Sequence, residues 1–164
     1  MRAHEERAVR LAETPLRYGL RCHVIVRETE DEAWKAADRL ISRIDPDVRR
    51  RFVETTAVVD SEGQRRQLAL SASSSLVVEP NLWAGVGLAR SGVGVAIVGD
   101  PVQVAEKLRA YQALGISTFI LSGYPHLEEC RRFGEMVMPL LRQRTGLDAV
   151  LPRATLSAGV APVT

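Results

Sequence analysis

The chain has 164 residues, 46% of them hydrophobic, which is enough for one domain with a real core. Its 22 basic and 20 acidic residues leave a formal net charge of +2, so no charge excess argues for nucleic acid or a membrane surface as a partner. The first residues, MRAHEERAVRLAETPLRYG, lack the basic-then-apolar layout of a secretory signal, and no apolar run approaches the length of a membrane span, so the expectation is a cytoplasmic protein.

Only Lys35 and Lys107 are lysines; the other 20 basic residues are arginines, permanently charged planar forks suited to oxyanions. Cys22 and Cys130 have no metal-ligand spacing, which predicts two reduced structural thiols and no metal site.

Residues 2–13 read as a helix that Thr14-Pro15 ends. A strand follows over 20–26, its alternation placing Leu20, Cys22, Val24 and Val26 on one face and Arg21, His23 and Ile25 on the other. Thr29 to Glu32 has the T-x-x-E form of a capping box. From there a helix carries Ala33, Trp34, Ala37, Leu40, Ile41 and Ile44 on one apolar stripe, and Asp45-Pro46 stops it. Residues 47–70 are Arg-rich and helix-compatible in two pieces around a VVDSEG turn. The low-complexity patch SASSS (71–75) leads into a Ser- and Gly-rich stretch. There Gly85, Gly87, Gly92 and Gly94 flank Arg90, placing that cation on a flexible connection able to close over a ligand; a plain surface loop is the simpler alternative.

A short buried strand is expected at 95–98, and Asp100, Pro101 and Gln103 then supply an N-cap, a first-turn proline and a box partner. The helix over 102–114 turns Val104, Ala105, Leu108 and Tyr111 inward, and Gly115 closes it. The next segment, STFILSGYPHLEE (117–129), is the most telling. Phe119, Ile120 and Leu121 form a continuous apolar run, as in a parallel strand covered on both faces. Ser122, Tyr124 and His126 follow at its carboxyl end, where α/β folds bind ligands. The order is that of β/α units with three strands, and residues 142–164 read as a loosely ordered tail.

At these residues the sequence resembles the bacterial luciferase-type flavin monooxygenases, and within them the alkanesulfonate monooxygenase branch. The resemblance runs through RCHVIVRETEDEAW (21–34), DSEGQRRQLAL (60–70), EPNLWAGVGLARSGVGVAIVGDP (79–101) and FILSGYPHLEE (119–129). It implies an α/β fold, the carboxyl-terminal part of a TIM-type (β/α)8 barrel. Residues 1–141 would then be an incomplete barrel domain holding the last three strands and their helices, a truncated or split form whose amino-terminal half lies elsewhere.

The resemblance further implies oxygenolytic cleavage of the carbon-sulfur bond of alkanesulfonates to an aldehyde and sulfite. It brings FMNH2 as a diffusible substrate with O2, an NAD(P)H-dependent FMN reductase as partner, and homo-oligomers. The residues matching Arg21, His23, Arg90, Tyr124 and His126 belong to the active site in that family, with Ser122 beside them. A sulfonate is a permanent monoanion with three acceptor oxygens, so Arg21, Arg90 and His23 suit it as charge-assisted donors. Arg21 could also stabilise an oxyanion or supply a proton, while Tyr124 and His126 orient the substrate. Two alternatives stand beside this reading: a non-catalytic remnant or interaction module that docks on intact homologues, and a luciferase-like monooxygenase acting on another substrate.

Overall fold

Alternating side chains and an unbroken β-branched finish make Tyr18–Val26 a nine-residue strand, β1, whose last five residues are all buried. In the computed structural model the described residues are 16–45, 76–89 and 94–142, with single helical positions at 6, 47, 50, 54, 65, 66, 69 and 70. The expectations for a first helix, for the SASSS patch, for Arg90 and its lid, and for residues 143–164 of the tail lie outside the described residues.

After β1 come α1 (Glu30–Ile41), the short strands β2 (Val77–Glu79) and β3 (Leu82–Trp83), and the single turn α2 (Val86–Ala89). Then follow β4 (Ala96–Gly99), α3 (Pro101–Ala113), β5 (Ile116–Ser122) and α4 (His126–Arg132). A π-helical turn at Phe133–Val137 leads to α5 (Met138–Arg142). That widened turn has a local cause. Pro139 has no N–H to give, and its ring crowds the carbonyl of Glu135.

The predicted helix starts and the Gly115 stop act as expected, whereas α1 ends at Ile41, short of the expected stop at Asp45-Pro46, and its box shows the Thr29 half. Thr29 Oγ1 accepts from the Glu32 backbone N–H at 3.3 Å to start α1. Both halves of the box form at α3, where Asp100 accepts from the Gln103 N–H at 2.9 Å and Gln103 Oε1 accepts from the Asp100 N–H at 2.9 Å. Gly115, at φ 94°, takes the left-handed conformation that ends α3.

The sheet order is β2-β3-β4-β1-β5, with β1 parallel to both β4 and β5 and with β3 antiparallel to both β2 and β4. A barrel arc would set the three parallel strands side by side in chain order; here β1 lies between β4 and β5. Right-handed crossovers account for this arrangement: β1 to β4 and β4 to β5 run in opposite directions, so α1 and α3 fall on opposite faces. On one face Cys22, Val24, Val26 and Ile97 pack with Val104, Ala105 and Leu108 of α3 and with Val137. On the other, Ile25, Ala96 and Val98 pack with Ala33, Ala36 and Ala37 of α1, with Trp83, and with Val86 of α2.

Two expectations are corrected. The apolar run of β5 is covered on one face only: Phe119 and Leu121 pack toward α3, whereas Ile120 is 58% exposed. The reason is position. β5 is the edge strand, and the core formed with α1 and α2 draws on β1, β3 and β4 and includes no β5 residue. Likewise, residues 76–89 are not open loop. A hairpin turns at Asn81, whose φ of 61° suits a side chain that tolerates the left-handed region, and its Nδ2 donates to the Val98 carbonyl at 2.9 Å. Trp83, Ala84, Val86 and Leu88 beyond it are buried.

The asymmetry of β5 is measurable. Leu108→Ala should lower unfolding stability by about 2–5 kcal/mol, whereas Ile120→Ala should change it by less than about 0.5 kcal/mol, read from urea midpoints. An equal loss from both would place β5 inside a two-sided core.

Candidate functional site

The carboxyl ends of β1 and β5 bring most of the expected residues together. Register sets Arg21 beside Ile120 and His23 beside Ser122, so Arg21, His23, Ile120 and Ser122 share one face of the sheet. His23 is only 1% exposed. After Ser122 the chain leaves the sheet through Gly123, Tyr124 and a cis Pro125, and α4 begins at His126. This short exit folds Tyr124 back over β1. Its ring stacks on the His23 imidazole with centroids 5.2 Å apart and 28° between planes, and His126 meets Tyr124 edge-on at 4.6 Å and 71°.

The result is a ladder of three rings, His23, Tyr124 and His126, running from the buried centre of the sheet to its exposed rim. Ser122 Oγ sits beside it, buried and without a hydrogen-bond partner among the described residues. A buried hydroxyl left in that state costs about 1–3 kcal/mol, which a ligand would recover. Arg21 stands two residues before His23 on the same face, about 6.6 Å along the strand, and is exposed. Arg90 falls outside the described residues.

Sequence reading missed the charged cluster that anchors this region. Glu129 is buried in α4, its side chain 3% exposed, and Arg27 reaches it from just beyond β1. Arg27 Nη2 lies 2.8 Å from Oε1 and Nη1 donates to Oε2 at 3.1 Å, a bidentate fork. Arg132 adds a third contact, Nη1 to Oε1 at 2.9 Å. The Glu129–Arg132 spacing of three is visible in the sequence as a helical pair, but a partner 102 residues away is not. Gly123 makes the approach possible. A Cβ there would stand 2.5 Å from Glu129 Cβ and 3.1 Å from the Val24 carbonyl oxygen, so any side chain would push α4 off the sheet.

Beneath α4 opens a cleft of ≈ 280 Å³, walled by Val24, Leu121 and Phe133, with Ser122, His126 and Cys130 around it. The two thiols thus part company. Cys22 is fully buried among aliphatic side chains, and loss of solvation pushes its pKa up to about 11, the inert core role expected of it. Cys130 is exposed rather than buried, a correction that follows from its place at the open cleft.

Iodoacetamide at neutral pH should therefore alkylate Cys130 in the folded chain and leave Cys22 unmodified until denaturant is added, as peptide mass mapping would report. Early labelling of Cys22 would contradict the packing of β1 against α3. Among the described residues no helix is long and apolar enough to cross a membrane. Residues 1–118, which include Arg21, His23 and Arg90, match the family model for luciferase-like monooxygenases, a family that in general uses reduced flavin and O2; the match ends just before Ser122, Tyr124 and His126. With 118 of its 164 residues in that match, the chain belongs to the luciferase-like monooxygenase family.

Proposed function

We propose that this chain supplies the carboxyl-terminal wall of an FMNH2-dependent alkanesulfonate monooxygenase site. The observation that carries the reading is the convergence of His23, Ser122, Tyr124 and His126 at the carboxyl ends of two parallel strands, in a chain of this family. Ligands of parallel α/β sheets bind at that end, because the helices that follow the strands leave crevices there.

The residues fit such a role. The buried Ser122 hydroxyl offers hydrogen-bonding capacity that the described residues leave unused, and Tyr124 brings an aromatic surface to the same strand end. These two would hold the reduced flavin, which when bound supplies the electrons that activate dioxygen. Arg21, exposed on the face that carries His23, is the cation for a sulfonate head. Its guanidinium can give parallel charge-assisted hydrogen bonds to two of the three oxygens. His126, at the exposed end of the ladder, orients the head group, while buried His23 fixes the Tyr124 ring from beneath. A sulfonate keeps its charge throughout the accessible pH range, so a permanently charged arginine suits it better than a lysine.

The same reading assigns the flavin supply to a separate NAD(P)H-dependent FMN reductase. It places the opposite wall of the site on an amino-terminal half barrel or on a second, intact homologue, within a cytoplasmic homo-oligomer.

The test is sulfite release from octanesulfonate with FMNH2 and O2, using the full chain alone and co-expressed with an amino-terminal half barrel. The soluble complex should release sulfite, and Arg21→Ala should raise KM for the sulfonate by about 10-fold to 100-fold, the loss of a hydrogen bond to a charged group. A soluble complex that turns over aldehydes but no sulfonate of any chain length would move the substrate to another class within the family. A complex inactive on both would remove the catalytic reading.

A further inference from the structure

The rings of the site are carried by two elements that no covalent link holds in register. His23 belongs to β1, while Tyr124 and His126 belong to the exit from β5 and the first turn of α4. Strand pairing fixes β1 against β5 only as far as the His23–Ser122 pair. Beyond it, the chain turns off the sheet at Gly123, and something else must set the height of the Tyr124–His126 segment above β1.

A connection suited to this joins the end of β1 to α4. Arg27 follows β1 directly and is itself pinned at both ends: its backbone N–H donates to the Gly99 carbonyl at 3.3 Å, and its Nη1 donates to the Val26 carbonyl at 2.6 Å. Its guanidinium then takes Glu129 in a two-point fork. Glu129 lies one helical turn after His126, and its backbone N–H donates to the Pro125 carbonyl at 3.0 Å, between the two ring residues. A displacement of Glu129 is therefore transmitted to the residue that separates Tyr124 from His126.

We propose that Glu129 is a positioning residue, held by Arg27 so as to lock the Tyr124–His126 segment over His23. This assignment rests on the functional reading above for its catalytic consequence, and on geometry alone for its structural one. The fork resists rotation as well as separation, since two parallel N–H···O bonds define a plane. Arg132 neutralises the carboxylate further but comes from the same helix, so it cannot tie α4 to β1.

The experiment compares Glu129→Gln and Arg27→Lys with the unmodified full chain. Asp100→Ala, which removes the α3 cap, serves as a control of reduced stability remote from the rings. The first readout is the ring-current shift of the His23 and His126 imidazole C–H protons, by NMR. Both clamp variants should move these shifts toward peptide values, Arg27→Lys by less because one contact survives, and Asp100→Ala should leave them in place. If Glu129→Gln proves insoluble, Arg27→Lys carries the same readout.

In the sulfite-releasing complex the clamp variants should lower kcat about tenfold or more with KM within twofold, since small misplacements of reacting groups act on turnover. Unmoved ring shifts in soluble Glu129→Gln or Arg27→Lys would overturn the proposal, as would an equal movement in Asp100→Ala. Shifts that move in a chain releasing no sulfite would uphold the clamp and reject the sulfonate reading.

Discussion

Strand β1 forms backbone ladders on both edges, to β4 and to β5, and supplies side chains to both cores. Its carboxyl half admits only side chains that can be buried on one face beneath α3 and on the other beneath α1. Cys22, Val24 and Val26 satisfy the first face and Ile25 the second. His23 is the exception, a polar ring in an otherwise apolar run, buried where the strand end gives it an aromatic cover in Tyr124. The site is thus a consequence of where β1 lies in the sheet.

A central strand has a second effect. Its carboxyl end is flanked by β4 and β5, and a cleft opens on the β5 side between Val24, Leu121 and the α4 segment. The ring ladder lies at the β1–β5 crevice, and there the charged cluster of Arg27, Glu129 and Arg132 closes the gap between the sheet and α4. A buried carboxylate facing two guanidinium groups contributes little net stability compared with an apolar contact of the same size. It contributes geometry, since removing either partner of such a pair costs about 3–5 kcal/mol and the alternatives to it are correspondingly disfavoured.

Much of the framework was legible from local pattern. The three parallel strands fall within two residues of their expected places, and the caps at Thr29, Asp100 and Gly115 all form. Caps and alternation depend on neighbours a few residues away, which any window of sequence contains. The hairpin of β2 and β3 was not legible, because its strands are three and two residues long and its turn holds Pro80 and Asn81 inside a stretch rich in glycine. What makes it structure is the burial of Trp83 in a cluster with residues from four other elements. Ile120 misled for the converse reason: an apolar residue in an apolar run looks the same on an edge strand as on a central one.

By itself the sequence determined the α/β class, the places of the three parallel strands and of the helices that follow them, the shared face of Arg21 and His23, and the family, all of which rest on spacing along the chain. Only the tertiary structure decided that β1 would be central, that β5 would have a bare face, and that His23, Tyr124 and His126 would stack. It also decided that Glu129 would find Arg27. These outcomes turn on the order of strands in the sheet and on contacts spanning about a hundred residues. Such contacts are chosen by competition among all ways of burying the same apolar faces, and no local pattern records which of them won.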